Sequence, residues 1–421
     1  MRSSARAGCD WKRSRRSFLD VSGAAALGMW LGSPLGSRAA SRVGPEGAPR
    51  VTAPSRDLRL FLCGDVMTGR GIDQVLPHAS KPEIHESYVK TALGYVELAE
   101  QVHGPIRRPV GFDYVWGDAL VELETRSPDL RVVNLETSVT TSDDAAPKGI
   151  NYRMHPANVP CLRAAAVDCC VLANNHVLDW GVGGLLETLG ALRGAGLATA
   201  GAGRDLEEAE RPAVLEAAET RLLVFGFGVP SSGIPPDWTA REGRPGVSVL
   251  PDLSRSSARR AVDLVRRWRR PGDVVVASIH WGGNWGHAIP PEQREFAHRL
   301  IDEGAADVVH GHSSHHPKGV EVHGGRAVLY GCGDFINDYE GISGHEEFRS
   351  DLVLAWFLTL DPSSGCLRGL EMAPFRTRRF RLERLAREDA EWMRGTLDRE
   401  SRKLGAGVEM SVDGTLQLRW T

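Results

Sequence analysis

The chain has 421 residues, 51 of them Lys or Arg and 54 Asp or Glu, for a formal net charge of −3. Hydrophobic residues make up 42% and charged residues 25%, the balance of a globular protein, which excludes a disordered chain and a collagen-like fibre. No run of about 20 uncharged apolar residues occurs, so no membrane-spanning helix is expected in the mature chain.

Residues 1–40 read as an export signal. They hold seven basic and two acidic side chains, which leaves about −8 for the remainder. Ser14-Arg15-Arg16-Ser17-Phe18-Leu19 looks like a twin-arginine motif, and the short apolar run Val21 to Leu31 follows it. A cut is expected near Ala39, and a periplasmic, extracellular or cell-surface destination with it. An acidic mature chain is a poor nucleic-acid binder, because phosphate neutralisation needs a basic surface. Residues 41–57, rich in Pro, Gly and Arg, read as a linker.

From Leu58 short apolar runs alternate with helical patterns. The runs are Leu58–Cys63, Leu130–Val133, Cys169–Ala173, Leu222–Gly226, Val274–Ile279, Asp307–Val309 and Ala327–Tyr330. Helical spacing appears at Val159–Ala166, Gly183–Ala195, Ser254–Arg269 and Pro291–Glu303. Buried strands alternating with helices predict an α/β domain, placed at residues 58–345. A helical insertion is expected at about 72–123, with Ile84, Tyr88, Ala92, Tyr95, Val96 and Ala99 on its buried face. Ser231 to Gly246, rich in Pro and Gly, reads as a mobile surface loop. Residues 346–421 read as a β-rich extension: strands at Leu352–Leu360, Leu367–Ala373 and Val408–Trp420, with a helix near Arg387–Lys403. Cys63, Cys169, Cys170 and Cys332 fall inside apolar runs and read as small buried hydrophobes.

Metal-capable side chains stand where these runs end. The run before Asp65, the run before Glu136, and the run before Asn174, Asn175 and His176 are three. Those before His280, before His310, His312 and His315, and before Asp334 complete six. Ligands of α/β sheets bind at the carboxyl ends of the strands. Carboxylates and imidazoles gathered there repel and lose hydration unless a cation offsets the cost. The donors are oxygen and nitrogen, which suits Mn, Fe, Zn or Mg. About seven donors exceed the three or four of a typical zinc centre, so two divalent ions are expected. His103 and His298 read as structural or solvated.

Gly64-Asp65-Val66-Met67-Thr68-Gly69-Arg70, Asn134-Leu135-Glu136-Thr137, Ala173 to Gly181, His280-Trp281-Gly282 and Gly311-His312-Ser313-Ser314-His315 together resemble the CapA-type poly-gamma-glutamate capsule biosynthesis family. That family is similar to calcineurin-like metallophosphatases. The resemblance implies a four-layer α-β-β-α sandwich with a two-metal site at its strand ends. It implies Asp65, Glu136, Asn175, His280, His312 and His315 as metal ligands, with Glu136 bridging. It implies His176 as the proton donor to a leaving group, oriented by Asp179. Arg70 and Arg153 are candidates for gripping an anionic substrate. The chain departs from the family pattern at Met67, where a metal histidine is usual, at Ser313, where the first histidine of a pair is usual, and at Asn284 and Asp334.

The leading expectation is an exported metal-dependent protein of capsule or poly-gamma-glutamate biosynthesis, hydrolytic through metal-activated water. Its partners would be an anionic polymer and a membrane-bound polymer synthase. The alternatives are a secreted metallophosphoesterase unrelated to capsule and a non-catalytic, metal-dependent polymer-binding subunit.

Overall fold

The computed structural model describes residues 56–421 apart from residue 218. The expected export signal, its cleavage point and nearly all of the linker lie outside the described residues. Two sheets carry the fold. In the ten-stranded sheet the main path runs Ala406–Met410, Leu416–Trp420, Leu367–Arg378, Leu352–Leu360, Leu58–Val66, Leu130–Leu135, Cys169–Val171, Ala198–Ala200. In the six-stranded sheet the order is Val320–His323, Arg326–Leu329, Val308–His312, Val274–His280, Thr220–Gly228, Ala213–Ala217.

Residue parity explains the layering. Along the strands of the second sheet, Leu222, Val224, Val274, Val276 and Val308 enter the core shared with the first sheet. Their odd or even neighbours Leu223, Phe225, Val275, Ala277 and Val309 pack instead on the helices Arg255–Trp268 and Pro291–Asp302, through Val262, Val265, Phe296 and Leu300. Alternate side chains of a strand face opposite ways, so runs buried on both faces must be apolar throughout. The first sheet is covered on its other side by helices that include Pro160–Ala164 and Gly181–Gly194, through Leu162, Leu185 and Leu189. The result is a helix–sheet–sheet–helix stack, as the family resemblance implies.

The central strands of both sheets run parallel, whereas Leu352–Leu360 pairs antiparallel with Leu58–Val66 and extends the first sheet with the C-terminal strands. The ladder between Leu58–Val66 and Leu130–Leu135 slips between Cys63 and Asp65. Such a bulge re-aims a side chain at a strand end. Gly64 sits at the slip because a Cβ there would lie 1.7 Å from the Gly333 carbonyl oxygen.

Three expectations are corrected. The insertion is not helical from Ile84: its main helix is Leu93–His103, and Tyr88 is exposed at 64%. Pro77 and Pro82 precede that helix, and Ile84 instead bonds through its backbone to Lys90. The Ser231–Gly246 segment is anchored, since Ile234 and Trp238 are buried in the main core. Its mobility was read from composition, which cannot register two buried side chains. The run Val408–Trp420 is a hairpin, Ala406–Met410 with Leu416–Trp420, turned at Asp413-Gly414. The cysteines Cys63, Cys169, Cys170 and Cys332 are buried free thiols, and burial raises the pKa of each.

Candidate metal centre

The carboxyl ends of both parallel sets meet along one rim. Asp65 lies near the end of Leu58–Val66, Glu136 just beyond Leu130–Leu135, and Asn175 and His176 in the turn after Cys169–Val171. From the second sheet, His280 and His312 each end a strand and are paired in register. Asp334 opens the short strand Asp334–Ile336, which runs parallel to the first strand with Asp334 opposite Asp65.

Asp65 is fully buried and held from two sides. The Asn134 side-chain amide donates to one oxygen at 2.7 Å, and the Ser313 backbone N–H to the other at 3.2 Å. Asn134 is in turn bonded by the Asn174 amide at 3.2 Å. Two sets of three donor side chains converge on it. Asp65, His280 and His312 form one, and Asp65, His315 and Asp334 the other, with potential ligand atoms within 4.8 Å in each. His280 Nδ1 lies 2.8 Å from His312 Nδ1, and His280 Nε2 lies 2.9 Å from Asn175 Oδ1. His315 Nδ1 lies 2.9 Å from Asp334 Oδ1, whose other oxygen accepts from the Asn337 amide.

Electrostatics argue that this donor set suits a cation. Burial, then repulsion from Asp334, pushes Asp65 up to about 7. Burial and the adjacent Asp65 raise Glu136 well above the carboxylate range, and its Oε2 has no hydrogen-bond partner. Burial drives His280 and His312 well below the usual imidazole range, each further depressed by a neighbouring imidazole. Burial also opposes a proton on His315, yet the Asp334 carboxylate outweighs it and raises that group. Crowded carboxylates that burial pushes toward protonation, beside two imidazoles that burial keeps from taking a proton, are what a divalent cation relieves. The residues therefore fit the metal centre implied by the sequence.

Beside the donors stands a polar relay. His176 Nδ1 lies 2.6 Å from Asp179 Oδ2, and Asp179 also accepts from the Tyr152 backbone N–H at 2.6 Å. Lys148 Nζ reaches Asp179 Oδ1 at 2.7 Å and donates to the Asn175 backbone carbonyl. The Tyr152 ring meets His176 edge-on at 4.5 Å. His176 Nε2 faces Glu136 Oε1 at 3.7 Å. Burial, against the pull of Asp179, lowers His176 to about 4. A cavity of about 430 Å³ opens near His315, lined by Trp285, Asn337, Tyr339, Glu340, His345 and Arg349 among others. Trp285 stacks on His345 at 4.1 Å and meets His315 edge-on at 5.3 Å.

The geometry therefore unites Asp65, Glu136, Asn175, His176, Asp179, His280, His312 and His315. Asp65 is common to both donor groups, because the bulge at Gly64 turns it into the gap between the sheets, and Glu136 Oε1 lies 3.8 Å from His280 Nε2 beside it. The geometry corrects two roles. Arg70 does not grip an outside anion. Its guanidinium is buried against Asp338 and Glu86, donates to the Tyr95 hydroxyl at 2.9 Å and lies 4.2 Å from the Tyr152 ring centre. Arg153 donates to the Ser142 and Lys81 carbonyls and to Asp143, and stacks 3.9 Å over Trp180. His310, one residue pair deeper than His312, bonds Ser278 and the Cys63 carbonyl and ties the sheets together. Lys148 and Asn337 were missed by sequence reasoning. Neither sits in a periodic run, although Asn337 follows the Gly-Asp-Phe-Ile segment by one residue.

The bacterial capsule synthesis protein PGA_cap model matches residues 59–339, two-thirds of the chain and every residue of this centre. The chain belongs to the PGA_cap family. It is 48% identical over 362 residues to a Mycobacterium tuberculosis protein described as a probable polyglutamine synthesis accessory protein, covering 85% of this chain and 95% of that one. It is 27% identical over 300 residues to the PGA biosynthesis protein CapA of Bacillus subtilis, covering 70% and 67%. A phosphatase from Mycoplasma pneumoniae superposes with a TM-score of 0.43 at 12% identity, over 76% of this chain and 94% of that one, too slight a likeness to carry fold or function. Membership in PGA_cap places this chain among accessory proteins of capsule and polyglutamate synthesis.

Proposed function

We propose that this PGA_cap protein is an exported, metal-dependent hydrolase that acts on an anionic polymer, poly-gamma-glutamate in the first instance, beside a membrane-bound synthase. One observation carries the reading: Asp65 is shared by two adjacent donor groups next to the His176–Asp179–Lys148 relay. Divalent cations held by Asp65, His280, His312, His315 and Asp334, with Asn175 and Glu136 in reach, would supply Lewis acidity and lower the pKa of water there. The protein's own groups do the rest. Asp179 keeps the His176 proton on Nδ1, so Nε2 accepts a proton from the attacking water and then passes it to the leaving group. Lys148 holds Asp179 in place through Oδ1. The cavity beside His315 has room for a segment of chain next to the rim. The names of the relatives point to polyglutamate, and Ser14 to Leu19 points to twin-arginine export.

The test uses protein exported through its own signal. Poly-gamma-glutamate is incubated with it, and chain length is followed by size-exclusion chromatography with and without chelator. The reading expects metal-dependent shortening that is lost in Asp179→Asn. A polymer of unchanged length under every divalent metal would overturn it.

A second reading has its own support. Met67 fills the place of a family metal histidine, and its sulfur accepts from the Tyr339 hydroxyl at 3.6 Å. With one ligand fewer, the centre would hold polymer carboxylates without cleaving them. That version expects chelator-sensitive retention of polymer and no shortening.

A further inference from the structure

The outer face of the second sheet carries another set of donors, away from the rim. His298 comes from the helix Pro291–Asp302, and Glu321 and His323 from the edge strand Val320–His323. Their potential ligand atoms all lie within 4.8 Å of one another. His298 Nε2 is 3.0 Å from Glu321 Oε2. The His298 and His323 rings lie parallel, 3.8 Å apart with 6° between planes. We propose that His298, Glu321 and His323 form a separate divalent-metal site, suited to zinc, that fastens the helix Pro291–Asp302 to the sheet edge.

The surroundings match what a ligating set needs. Outer groups normally fix the carboxylate and the imidazoles of such a set. Here the Tyr330 hydroxyl donates to Glu321 at 2.6 Å and Arg294 donates at 3.2 Å. Asp302 Oδ1 lies 2.8 Å from His323 Nε2 and orients that ring. The two side-chain rings are about a quarter exposed, so a hydrated ion can reach them and water can fill the fourth position. Two imidazoles and one carboxylate form a donor set on which zinc keeps an open position. A shared cation would bind both stacked rings to Glu321. Without the ion, the helix and the edge strand are joined here by the Glu321 contacts with His298 and Arg294 and by the His323–Asp302 contact.

His323 follows Glu321 by two residues on a strand, so both project from one face; His298 needs the fold to join them. The pattern is therefore invisible along the chain, where His298 reads as a structural or solvated helix residue.

The test counts zinc in the full-length protein. Wild type, His298→Gln and His323→Gln are loaded with zinc, desalted and measured for metal per chain. The Gln variants replace partly exposed rings and should fold, which circular dichroism checks. The proposal expects each variant to retain one equivalent less than wild type. It also expects the zinc-induced rise in Tm to shrink in both. Equal metal content in all three proteins would overturn it, as would an extra equivalent that washes out of wild type on desalting. Asp65→Asn, which disturbs only the rim, should keep the equivalent assigned to this site, so failure of one site is read apart from failure of the other.

Discussion

Lys148 Nζ meets Asp179 Oδ1 at 2.7 Å behind the His176 ring, and so completes a cation–carboxylate–imidazole chain that ends at the rim of the sheets. Asp179 has no exposed side-chain surface and Lys148 about a fifth. Removing the cation leaves a buried carboxylate with only the Tyr152 N–H and His176 to hold it. Lys148→Met is expected to cost about 1–3 kcal/mol in urea unfolding, less than a fully buried pair because water reaches the lysine. It should also abolish most turnover while leaving bound metal unchanged, which separates a positioning role from ligation.

The buried Arg70 should behave as a structural residue. Its guanidinium pairs with Asp338 and Glu86, and all three side chains are within 1% of full burial. Arg70→Met strands two carboxylates and is expected to destabilise the fold by about 3–5 kcal/mol. Denaturant midpoints check this. A stable Arg70→Met protein with weakened polymer affinity would return the residue to ligand binding.

Much of the centre was legible because apolar runs stop where donors begin. Asp65, His280 and His312 each follow four or more buried residues, and strand ends are where such sheets present ligands. What could not be read was depth and partnership. His310 and His312 share a face, but only the register with Val274–His280 places one inside the sandwich and the other at its rim. Arg70 looked available because its partner Asp338 lies 268 residues away. Asp334 stands at the end of an apolar run in the sequence, but its contact with Asp65 depends on a three-residue parallel strand that composition does not announce.

The first strand depends on a close backbone approach. A Cβ on Gly64 would stand 1.7 Å from the Gly333 carbonyl oxygen, so Gly64→Ala must push the Asp334 strand away from Asp65. Metal content should fall even though neither ligand is changed. Metal analysis of the folded variant decides it, and full metal occupancy would contradict the predicted separation.

Acid sensitivity should come partly from His316, which packs against Phe348 and His287. Burial, then the neighbouring His287, lowers it from 6.5 to about 3. The unfolded chain therefore binds this proton first as pH falls, so its contribution to stability is intact above about 6.5 and is lost progressively toward 3. In chelator, the urea midpoint should drop between pH 7 and pH 5, and His316→Phe should flatten that slope. An unchanged slope would show that the proton is taken up elsewhere.

Metal analysis of the protein exported through its own signal, beside Asp65→Asn prepared in the same way, tests the account most directly. Asp65 is the one side chain common to both donor groups, so the wild type should carry tightly held divalent metal at the rim and the variant should lose it while remaining folded. Wild-type protein that holds no divalent metal at Asp65, His280, His312, His315 and Asp334 after full loading would contradict the account.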